Sequence, residues 1–324
     1  NGVEVLLKDN PSLQADMVVL AIGVTPDTAL AKEAGLELGI KESIVVNDRM
    51  ETSVPDIYAA GDAVQVKHYV TGNDALISLA GPANKQGRII AHSHYLGSQG
   101  SSVIKVFDMT AATTGINETN AKKSGLEVDT VILSPMSHAG YYPGGKVMTM
   151  KVVFEKETYR LLGAQIIGYE GVDKRIDVLA TAIHAGLKAT QLKDLDLAYA
   201  PPYSSAKDPV NMAGFMIDNI AKGTLKQWHL EDMDKISKDQ NVVLLDVRTV
   251  GEFNRGHMDG FNNIPVDELR ERINEIEKGK PVYLICQSGL RSYNFSGGFR
   301  FYDAVVNDRA LIERAYACGM DYKK

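Results

Sequence analysis

Cys286 and Arg291 have the types and spacing for sulfur chemistry. The apolar run 282–285 leads directly into Cys286-Gln-Ser-Gly-Leu-Arg291. A strand that ends in such a loop can aim successive backbone N–H groups at one sulfur atom, and these donors favour first the thiolate and then the persulfide. Arg291 would add a positive charge at the rim of the loop. We therefore predict that Cys286 is a catalytic nucleophile and that Arg291 assists it.

The residues around this loop resemble those of the rhodaneses. The similar segments are Leu245-Asp-Val-Arg248, Glu252, Gly256-His-Met-Asp-Gly260 and Asn263-Ile-Pro265. Protein tyrosine phosphatases also use a cysteine loop that ends in arginine, but their Cys-x5-Arg loop is one residue longer. The resemblance implies a domain whose cysteine carries sulfane sulfur and whose Asp246 and Arg248 hold the loop in place.

One departure from that family follows the loop. A rhodanese runs through a helix and a strand before an Asn-x-Ser/Gly-Gly-Gly segment, whereas here Asn294-Phe-Ser-Gly-Gly298 follows directly after Ser292 and Tyr293. We therefore expect a segment to be missing from the sequence at this point, and a shorter one near 94–100. If the sequence is read literally instead, the rhodanese-like domain is incomplete. No role is predicted for Cys318.

A glycine and an aspartate form a second candidate site. The segment Thr52-Ser-Val-Pro-Asp-Ile-Tyr-Ala-Ala-Gly-Asp62 contains a strand-like run, 57–60, that ends at Gly61 and Asp62. Gly61 lets a bulky ligand approach the backbone, and Asp62 offers an acceptor to a ligand hydroxyl. The segment resembles the second FAD fingerprint of the flavoprotein disulfide reductases, Thr-x-x-x-x-Asp/Tyr-Ala-x-Gly-Asp. This resemblance implies that Asp62 holds the ribityl chain of FAD.

A helix is predicted to begin near Pro82, and its N-terminus could face the same cofactor. Free N–H groups and the positive end of the helix dipole suit an anionic reduced flavin. In the resembling family the start of this helix, at Leu79 and Ala80, points at the isoalloxazine ring. Asn84 and Arg88 share one face at i and i+4, and in the coenzyme A branch of the family that face touches the coenzyme.

Tyrosines form the third candidate site. The segment 197–211 reads Leu-Ala-Tyr-Ala-Pro-Pro-Tyr-Ser-Ser-Ala-Lys-Asp-Pro-Val-Asn, and its prolines favour an extended backbone. It resembles the coenzyme A-disulfide reductase and NADH-oxidase branch, in which a tyrosine meets the substrate near the flavin of the partner subunit. The resemblance implies roles in catalysis for Tyr199 and Tyr203 and in binding for Lys207. Tyr141-Tyr142-Pro-Gly-Gly resembles the other tyrosine contribution of that branch, and either tyrosine could face the site.

Three sections of chain would position these residues. We predict the end of an NAD(P)/FAD-binding region over 1–100, a dimerisation domain over 101–222, a linker over 223–229 and a rhodanese-like domain over 230–324. The predicted fold is a multidomain combination of α/β and α+β: a partial FAD-binding Rossmann-like region, an α+β dimerisation domain and a C-terminal rhodanese-like α/β domain. The elements expected within it are a buried strand over 16–27, helices over 82–95, 172–185, 208–221 and 266–277, and strands over 103–109, 148–154, 162–168, 242–247 and 282–286.

Composition narrows the class of protein. Among the 324 residues, 44% are apolar and 23% charged, as in ordinary soluble globular proteins. The net charge of −6 gives no support for nucleic-acid binding, and no apolar run reaches the ~18–20 residues of a membrane span. Two cysteines fit a reducing cytoplasm better than a disulfide framework. No metal site is predicted.

These features predict part of a homodimeric enzyme. The sequence contains no Gly-x-Gly-x-x-Gly loop, so we expect it to be the C-terminal part of a longer flavoprotein and to retain little FAD alone. The leading hypothesis is an FAD-dependent reductase that uses NAD(P)H to reduce coenzyme A disulfide, coenzyme A persulfide or polysulfide, with the rhodanese domain handling sulfane sulfur. One alternative is an NADH oxidase or peroxidase with a rhodanese appendage. Another is a non-catalytic sulfur carrier that only dimerises and binds a partner.

Overall fold

The computed structural model describes residues 2–8, 10–90, 92–287, 289, 291–292, 304–307 and 322–323. The chain divides into two units, the first of residues 1–67 and 73–97 and the second of 68–72 and 98–324. Within the described ranges, no helix is long and apolar enough to cross a bilayer, and no cluster of three His, Cys, Asp or Glu side chains could hold a metal ion. Cys318 and the segment 294–298 lie outside the described residues.

Short strands and two helices make up the first unit. They are β1 (Val3–Val5), β2 (Leu13–Ala15), α1 (Ala29–Glu33), β3 (Ile44–Val45), β4 (Val64–Lys67), β5 (Asp74–Leu76) and α2 (Ala80–Ile89), with a 3₁₀ helix over Ile40–Glu42. β1 and β2 pair antiparallel, and β4 lies between β3 and β5 in a separate sheet. Met50 and the β4 residues Val64 and Val66 are buried.

The buried strand predicted over 16–27 is wrong. This apolar run forms no strand in the described part of the unit, and Leu20 and Ile22 are 80% and 87% exposed. A continuous apolar run becomes a buried strand only where neighbouring strands and a covering layer accept it. The β1–β2 hairpin and the β3–β4–β5 sheet do not pair with this run.

Two other elements of the first unit differ from prediction. The run 57–60 is not a regular strand: Tyr58 makes one isolated bridge to Glu51, and β4 begins only after Asp62. Helix α2 ends at Ile89 instead of continuing to Tyr95. The helix ends early because the chain turns towards Asp48. There the Tyr95 N–H donates to the Asp48 carbonyl oxygen at 2.7 Å.

The first half of the second unit is an antiparallel sheet covered by helices. Its elements are β6 (Ser102–Val106), β7 (Met109–Gly115), α3 (Glu118–Lys123), β8 (Val128–Leu133), β9 (Thr149–Glu155), β10 (Leu161–Gly168), α4 (Val172–His184), a 3₁₀ helix over Ala189–Asp194 and α5 (Pro209–Ala221). The strand order is β6-β7-β10-β9-β8. The inward sides of β8, β9 and β10 pack with α4 and α5 in one apolar core.

The predicted helices over 172–185 and 208–221 are confirmed to within one residue at each end. The predicted strand 103–109 is instead two strands, because the chain reverses at Phe107 and Asp108 to form the β6–β7 hairpin. Gly163 lies beside a bulge in the β9–β10 pairing, where the register shifts between Leu161 and Gly163. An added Cβ there would lie 2.1 Å from the Ile116 carbonyl oxygen, so no larger residue fits.

The second half of this unit contains a parallel sheet. Its described elements are β11 (Lys226–Trp228), α6 (Met233–Ile236), β12 (Val243–Asp246), α7 (Val250–Arg255), β13 (His257–Met258), β14 (Asn262–Asn263), β15 (Val282–Ile285), β16 (Ala304–Asn307) and β17 (Tyr322–Lys323), with 3₁₀ helices over Leu230–Asp232 and Ile273–Glu275. The described strands run in the order β11-β16-β15-β12-β14, and β13 pairs with β17. The predicted strands 242–247 and 282–286 correspond to β12 and β15.

Two predictions in this half are wrong. The segment predicted as a linker over 223–229 contains β11, an edge strand of the sheet, and Trp228 within it is only 1% exposed. The predicted helix 266–277 is a series of turns with one 3₁₀ helix. The Arg272 guanidinium pairs with both Glu268 and Glu275 across these turns, and nothing in the structure explains why the segment is not a regular helix.

The two halves of the second unit are joined by polar and apolar contacts. The Gln227 amide donates to Asp129 Oδ1 at 3.2 Å and to the Thr130 carbonyl oxygen at 2.9 Å, and His229 Nε2 lies 3.1 Å from the same carboxylate oxygen. Met216 and Ile220 of α5 pack against the core of the parallel sheet. The sheet is therefore held directly against the antiparallel half.

Candidate functional site

Cys286 lies at the carboxyl edge of the parallel sheet. It follows β15 immediately, is fully buried, and packs in the sheet core beside Val247 and Leu284. Asp246 ends the neighbouring strand β12 in register with Ile285, so both strands deliver their C-terminal residues to one edge. The predicted N–H cradle lies partly outside the described residues, because it includes Ser288 and Leu290.

Arg291 is paired with Glu252. Its Nη1 and Nη2 atoms donate to the two carboxylate oxygens at 2.7 Å each. Glu252 also accepts from the Thr249 N–H at 2.9 Å, completing the capping box that begins α7. The Arg291 hydrogen bonds are the main cause that lowers the pKa of Glu252 to about 2. Sequence reasoning included Glu252 in the resemblance but did not predict that it pairs with Arg291.

A second arginine, Arg248, forms a buried ion pair with Asp246 at the same edge of the sheet. Arg248 Nε and Nη2 donate to Asp246 Oδ2 at 2.9 and 2.7 Å, and Nη2 also donates to the Gly256 carbonyl oxygen. The Asn263 amide then donates to the carbonyl oxygens of Asp246 and Arg248. Both charged side chains are almost fully buried. This arrangement fits the scaffold role predicted for them.

Tyr141 and Tyr199 are brought together on the surface of the antiparallel half. Their hydroxyl oxygens lie 2.7 Å apart, and the two residues are 76% and 46% exposed. The hydrogen bond with Tyr141, more than partial desolvation, raises the pKa of Tyr199 above its ordinary value. Tyr199 therefore keeps its proton at neutral pH and can serve as a donor.

The other predicted residues of this region lie elsewhere on the same surface. Tyr142 stands edge-on to the buried His138, with ring centroids 5.5 Å apart. Tyr203 is 72% exposed, and Lys207 is also exposed. Of the two adjacent tyrosines that the sequence left as alternatives, it is Tyr141 that contacts Tyr199.

Sequence reasoning missed the buried ion pair beneath these tyrosines. Arg175 of α4 and Asp208 are 1% and 3% exposed, and Arg175 Nη2 donates to Asp208 Oδ2 at 2.9 Å. Asp208 also accepts from the Val210 N–H at 3.0 Å, which begins α5 together with Pro209. An arginine three residues after Val172, on the apolar face of α4, was the available signal.

In the first unit, Gln86 links the two predicted flavin segments. Its Oε1 atom accepts from the Gly61 N–H at 2.7 Å, and Gln86 is 1% exposed. Gly61 has φ +100°, and no heavy atom lies within 4 Å of an added Cβ. Asp62 is exposed, and its carbonyl oxygen accepts from Ser78 at 3.0 Å. Gln86 was not among the predicted residues, because the prediction considered only the face of α2 that carries Asn84 and Arg88. Gln86 lies on the side of α2 that faces Gly61.

The remaining predicted cofactor contacts belong to the same helix. Leu79 is the N-cap of α2 and Ala80 its first residue. Asn84 and Arg88 are exposed. Open space beside Gly61, an exposed Asp62 carboxylate and an adjacent helix N-terminus fit a half-site for a flavin nucleotide.

Three segments of the chain match known protein families. Residues 1–87 match the family described as pyridine nucleotide-disulphide oxidoreductase, residues 101–209 match the dimerisation domain of that family, and residues 229–306 match the rhodanese-like domain. The chain therefore belongs to the pyridine nucleotide-disulphide oxidoreductases and also carries a rhodanese-like domain. The predicted family and fold class are thereby confirmed.

Two curated relatives show which proteins of this family the chain is similar to. The chain is 37% identical over 214 residues to the NAD(P)H sulfur oxidoreductase (CoA-dependent) of Pyrococcus abyssi, covering 64% of this chain and 48% of that protein. It is 34% identical over 222 residues to the coenzyme A disulfide reductase of Staphylococcus epidermidis, covering 66% of this chain and 50% of that protein. The chain thus spans about half the length of the curated relatives that it matches.

A solved structure matches nearly the whole chain. The crystal structure of reduced Bacillus anthracis CoADR-RHD superposes with a TM-score of 0.89 at 45% identity, covering 94% of this chain and 56% of that one. The superposition includes both the oxidoreductase segments and the parallel-sheet domain.

Proposed function

We propose that this chain is part of a flavin-dependent NAD(P)H oxidoreductase that reduces coenzyme A disulfide, coenzyme A persulfide or polysulfide. The observation that carries the proposal is the contact of 2.7 Å between the Tyr141 and Tyr199 hydroxyls on an exposed surface. Two hydrogen-bonded phenols can stabilise the negative charge on a thiolate that leaves during a reaction. The sulfur and coenzyme A chemistry of the relatives supports the choice of substrate.

The tyrosine pair would act on the leaving group. In the proposed reaction an attacking thiolate forms a new S–S bond to the substrate as the old S–S bond breaks and a thiolate or hydrosulfide leaves. Tyr199 would turn its hydroxyl hydrogen from Tyr141 to the departing sulfur as negative charge develops there, while Tyr141 keeps the Tyr199 hydroxyl close to the site. A donor placed where charge develops is typically worth ~3 kcal/mol of transition-state stabilisation.

FAD, when bound, would pass electrons from NAD(P)H to the sulfur that is reduced. We infer that Gly61, Asp62 and the α2 N-terminus at Leu79 and Ala80 contact it, and that Gln86 holds the Gly61 backbone in place for this purpose. Asn84 and Arg88 are the proposed contacts to coenzyme A, and Lys207 is proposed separately as a binding residue of the segment that carries Tyr199. Asn84 and Arg88 are polar and exposed, as contacts to a charged nucleotide need to be.

The rhodanese-like domain would handle sulfane sulfur. The Cys286 thiolate would take the terminal sulfur of a persulfide, polysulfide or thiosulfate, forming one S–S bond while the donor bond breaks. The donor then leaves as a thiolate or as sulfite, so atoms and electrons balance. Arg291 would favour the negative charge of the attacking and departing sulfur, oriented by its two hydrogen bonds to Glu252.

We also propose that the protein is a homodimer in the cytoplasm. Support for the dimer comes from the match of residues 101–209 to a dimerisation domain and from the exposure of the tyrosine pair, whose site needs a further surface to be complete. Support for the cytoplasm comes from the low cysteine content.

The decisive experiment is a steady-state assay of the full-length enzyme with NADH or NADPH. Coenzyme A disulfide, coenzyme A persulfide, polysulfide, hydrogen peroxide and oxygen are supplied separately. We expect the highest kcat/KM with a coenzyme A-linked or polysulfide acceptor. Turnover confined to peroxide or oxygen would reject this function in favour of an oxidase or peroxidase.

A further inference from the structure

The two tyrosines of the proposed site lie on irregular chain. Residues 134–147 form no strand longer than one isolated bridge, and residues 195–208 contain only turns and bends. Their hydroxyls nevertheless meet at 2.7 Å while remaining solvent-exposed. A hydrogen bond between exposed groups contributes little to holding two loops together, because water competes for both partners. Some other contact must define the separation of the two segments.

Arg175 supplies that contact from beneath. Its Nη2 atom donates to the Ser137 carbonyl oxygen at 3.0 Å and lies 3.3 Å from the Tyr203 carbonyl oxygen, while Nη1 donates to the Gly171 carbonyl oxygen at 3.2 Å. Ser137 belongs to the segment that carries Tyr141, and Tyr203 belongs to the segment that carries Tyr199. One buried guanidinium therefore bonds both tyrosine segments to helix α4.

Asp208 and Ser204 complete the arrangement. Asp208 accepts from Arg175 Nε at 3.1 Å and Nη2 at 2.9 Å, and the Ser204 hydroxyl donates to Asp208 Oδ2 at 2.7 Å. Ser204 is 1% exposed, and its carbonyl oxygen accepts from the Ala139 N–H at 2.9 Å. The two tyrosine segments are thus also bonded directly to each other through the residues nearest the ion pair.

The backbone around Arg175 is shaped to admit it. Gly171, the N-cap of α4, has φ +69°, and an added Cβ there would lie 2.1 Å from Arg175 Nη1. Any other L-residue would be strained and would displace the guanidinium.

Stability alone does not explain a buried charge pair, because well-packed apolar residues often replace such pairs without loss. An apolar side chain could not bond the carbonyl oxygens of three separate segments in fixed directions. A lysine could not do so either, because it lacks the planar fork of donors.

We propose that Arg175 and Asp208 are positioning residues that set the separation of the Tyr141 and Tyr199 hydroxyls, with Ser204 as the link to the Tyr199 segment. The role in turnover rests on the proposed function of the tyrosine pair. The structural claim, that this network maintains the contact between the phenols, stands apart from it.

The test uses Ser204→Ala in the full-length holoenzyme, because Arg175→Ala would leave Asp208 buried without its cation and is expected to unfold the domain. Ser204→Ala is combined with Tyr199→Phe in a double-mutant cycle. We expect Ser204→Ala alone to lower kcat about tenfold, as a displaced catalytic group does, with unchanged flavin content. In the Tyr199→Phe background, the same change is expected to lower kcat less than about twofold.

A readout independent of turnover accompanies the cycle. Tyrosinate absorbance is titrated with pH, and the difference between variants with and without Tyr199→Phe reports the coupled titration of the Tyr199–Tyr141 pair. We expect Ser204→Ala to move the midpoint of the pair back towards the ordinary value of a tyrosine, because the hydrogen bond between Tyr199 and Tyr141 is weakened. Lys122→Gln is the matched control, since it removes the Lys122–Glu118 ion pair of α3, a helix that carries neither tyrosine segment. The control is expected to leave both readouts unchanged.

An equal loss of kcat in both backgrounds, or an unmoved midpoint of the pair in Ser204→Ala, would overturn the proposal. A wild-type enzyme with no activity on coenzyme A-linked substrates would reject the proposed function instead. The absorbance titration would still decide whether the network positions the phenols.

Discussion

The guanidinium of Arg291 and the carboxylate of Glu252 face each other through two parallel hydrogen bonds of 2.7 Å. This bidentate pair joins the end of the Cys286 loop to the first turn of α7, and it leaves Glu252 with a pKa of about 2. The cation proposed to assist sulfur transfer is therefore oriented by a carboxylate that stays ionised throughout the ordinary pH range.

The Arg291–Glu252 pair should make stability depend on acid pH. The pKa of Glu252 falls from 4.5 to about 2 on folding, so its contribution is fully present above about pH 4.5 and is lost as pH falls towards 2. We expect the free energy of unfolding to drop more between about pH 5 and pH 2 in the wild type than in Glu252→Gln, whose amide does not titrate there. Chemical denaturation at each pH measures this.

The matched control for that experiment is Glu277→Gln, which removes a more exposed carboxylate paired with Lys280. Its profile should follow the wild type. Parallel pH profiles for the wild type and Glu252→Gln would show that the pair contributes nothing to stability.

Tyr199→Phe should slow turnover of the full-length enzyme while leaving its flavin content intact. Loss of one donor to the departing thiolate is expected to lower kcat by about 100-fold. The control is Tyr169→Phe, because Tyr169 is equally exposed, at 47% against 46%, and its position just after β10 belongs to neither tyrosine segment. An unchanged kcat in Tyr199→Phe would assign this tyrosine to packing and move the prediction to Tyr203.

Cys286→Ser should abolish sulfur transfer and spare flavin-dependent reduction of small disulfides. The wild type is expected to gain about 32 Da, the mass of one sulfur atom, after exposure to thiosulfate or polysulfide near neutral pH. Intact-mass spectrometry detects this adduct, and Cys318→Ser serves as the control that should retain it. A persulfide that persists in Cys286→Ser would place the sulfur carrier elsewhere in the chain.

The chain should dimerise without cofactor through residues 101–222. Permanent interfaces of this kind commonly bury more than ~2,000 Å² in total, enough to survive dilution to micromolar concentration. Sedimentation velocity gives the mass directly. A monomer under those conditions contradicts the prediction, and with it the proposal that the tyrosine pair serves a site completed by a second subunit.

Local pattern was sufficient where function depends on residues that are close in sequence. Cys286 and Arg291 are joined by one loop, Gly61 and Asp62 are adjacent, and helices α4 and α5 carry their own apolar periodicity and caps. The family, the fold class and these helices could therefore be predicted without coordinates.

Only the tertiary structure decided which distant side chains meet. Glu252 pairs with Arg291, Gln86 with Gly61, and Tyr141 with Tyr199, each across a separation that no periodicity spans. The run 16–27 was misjudged for the same reason, because an apolar run becomes a buried strand only when other strands accept it. The linker was misjudged because Trp228 donates to the Leu284 carbonyl oxygen and packs with Phe261 and Ile285, residues that follow it much later in the sequence. Composition and spacing determined what chemistry was possible, while packing between remote segments determined which residues could carry it out together.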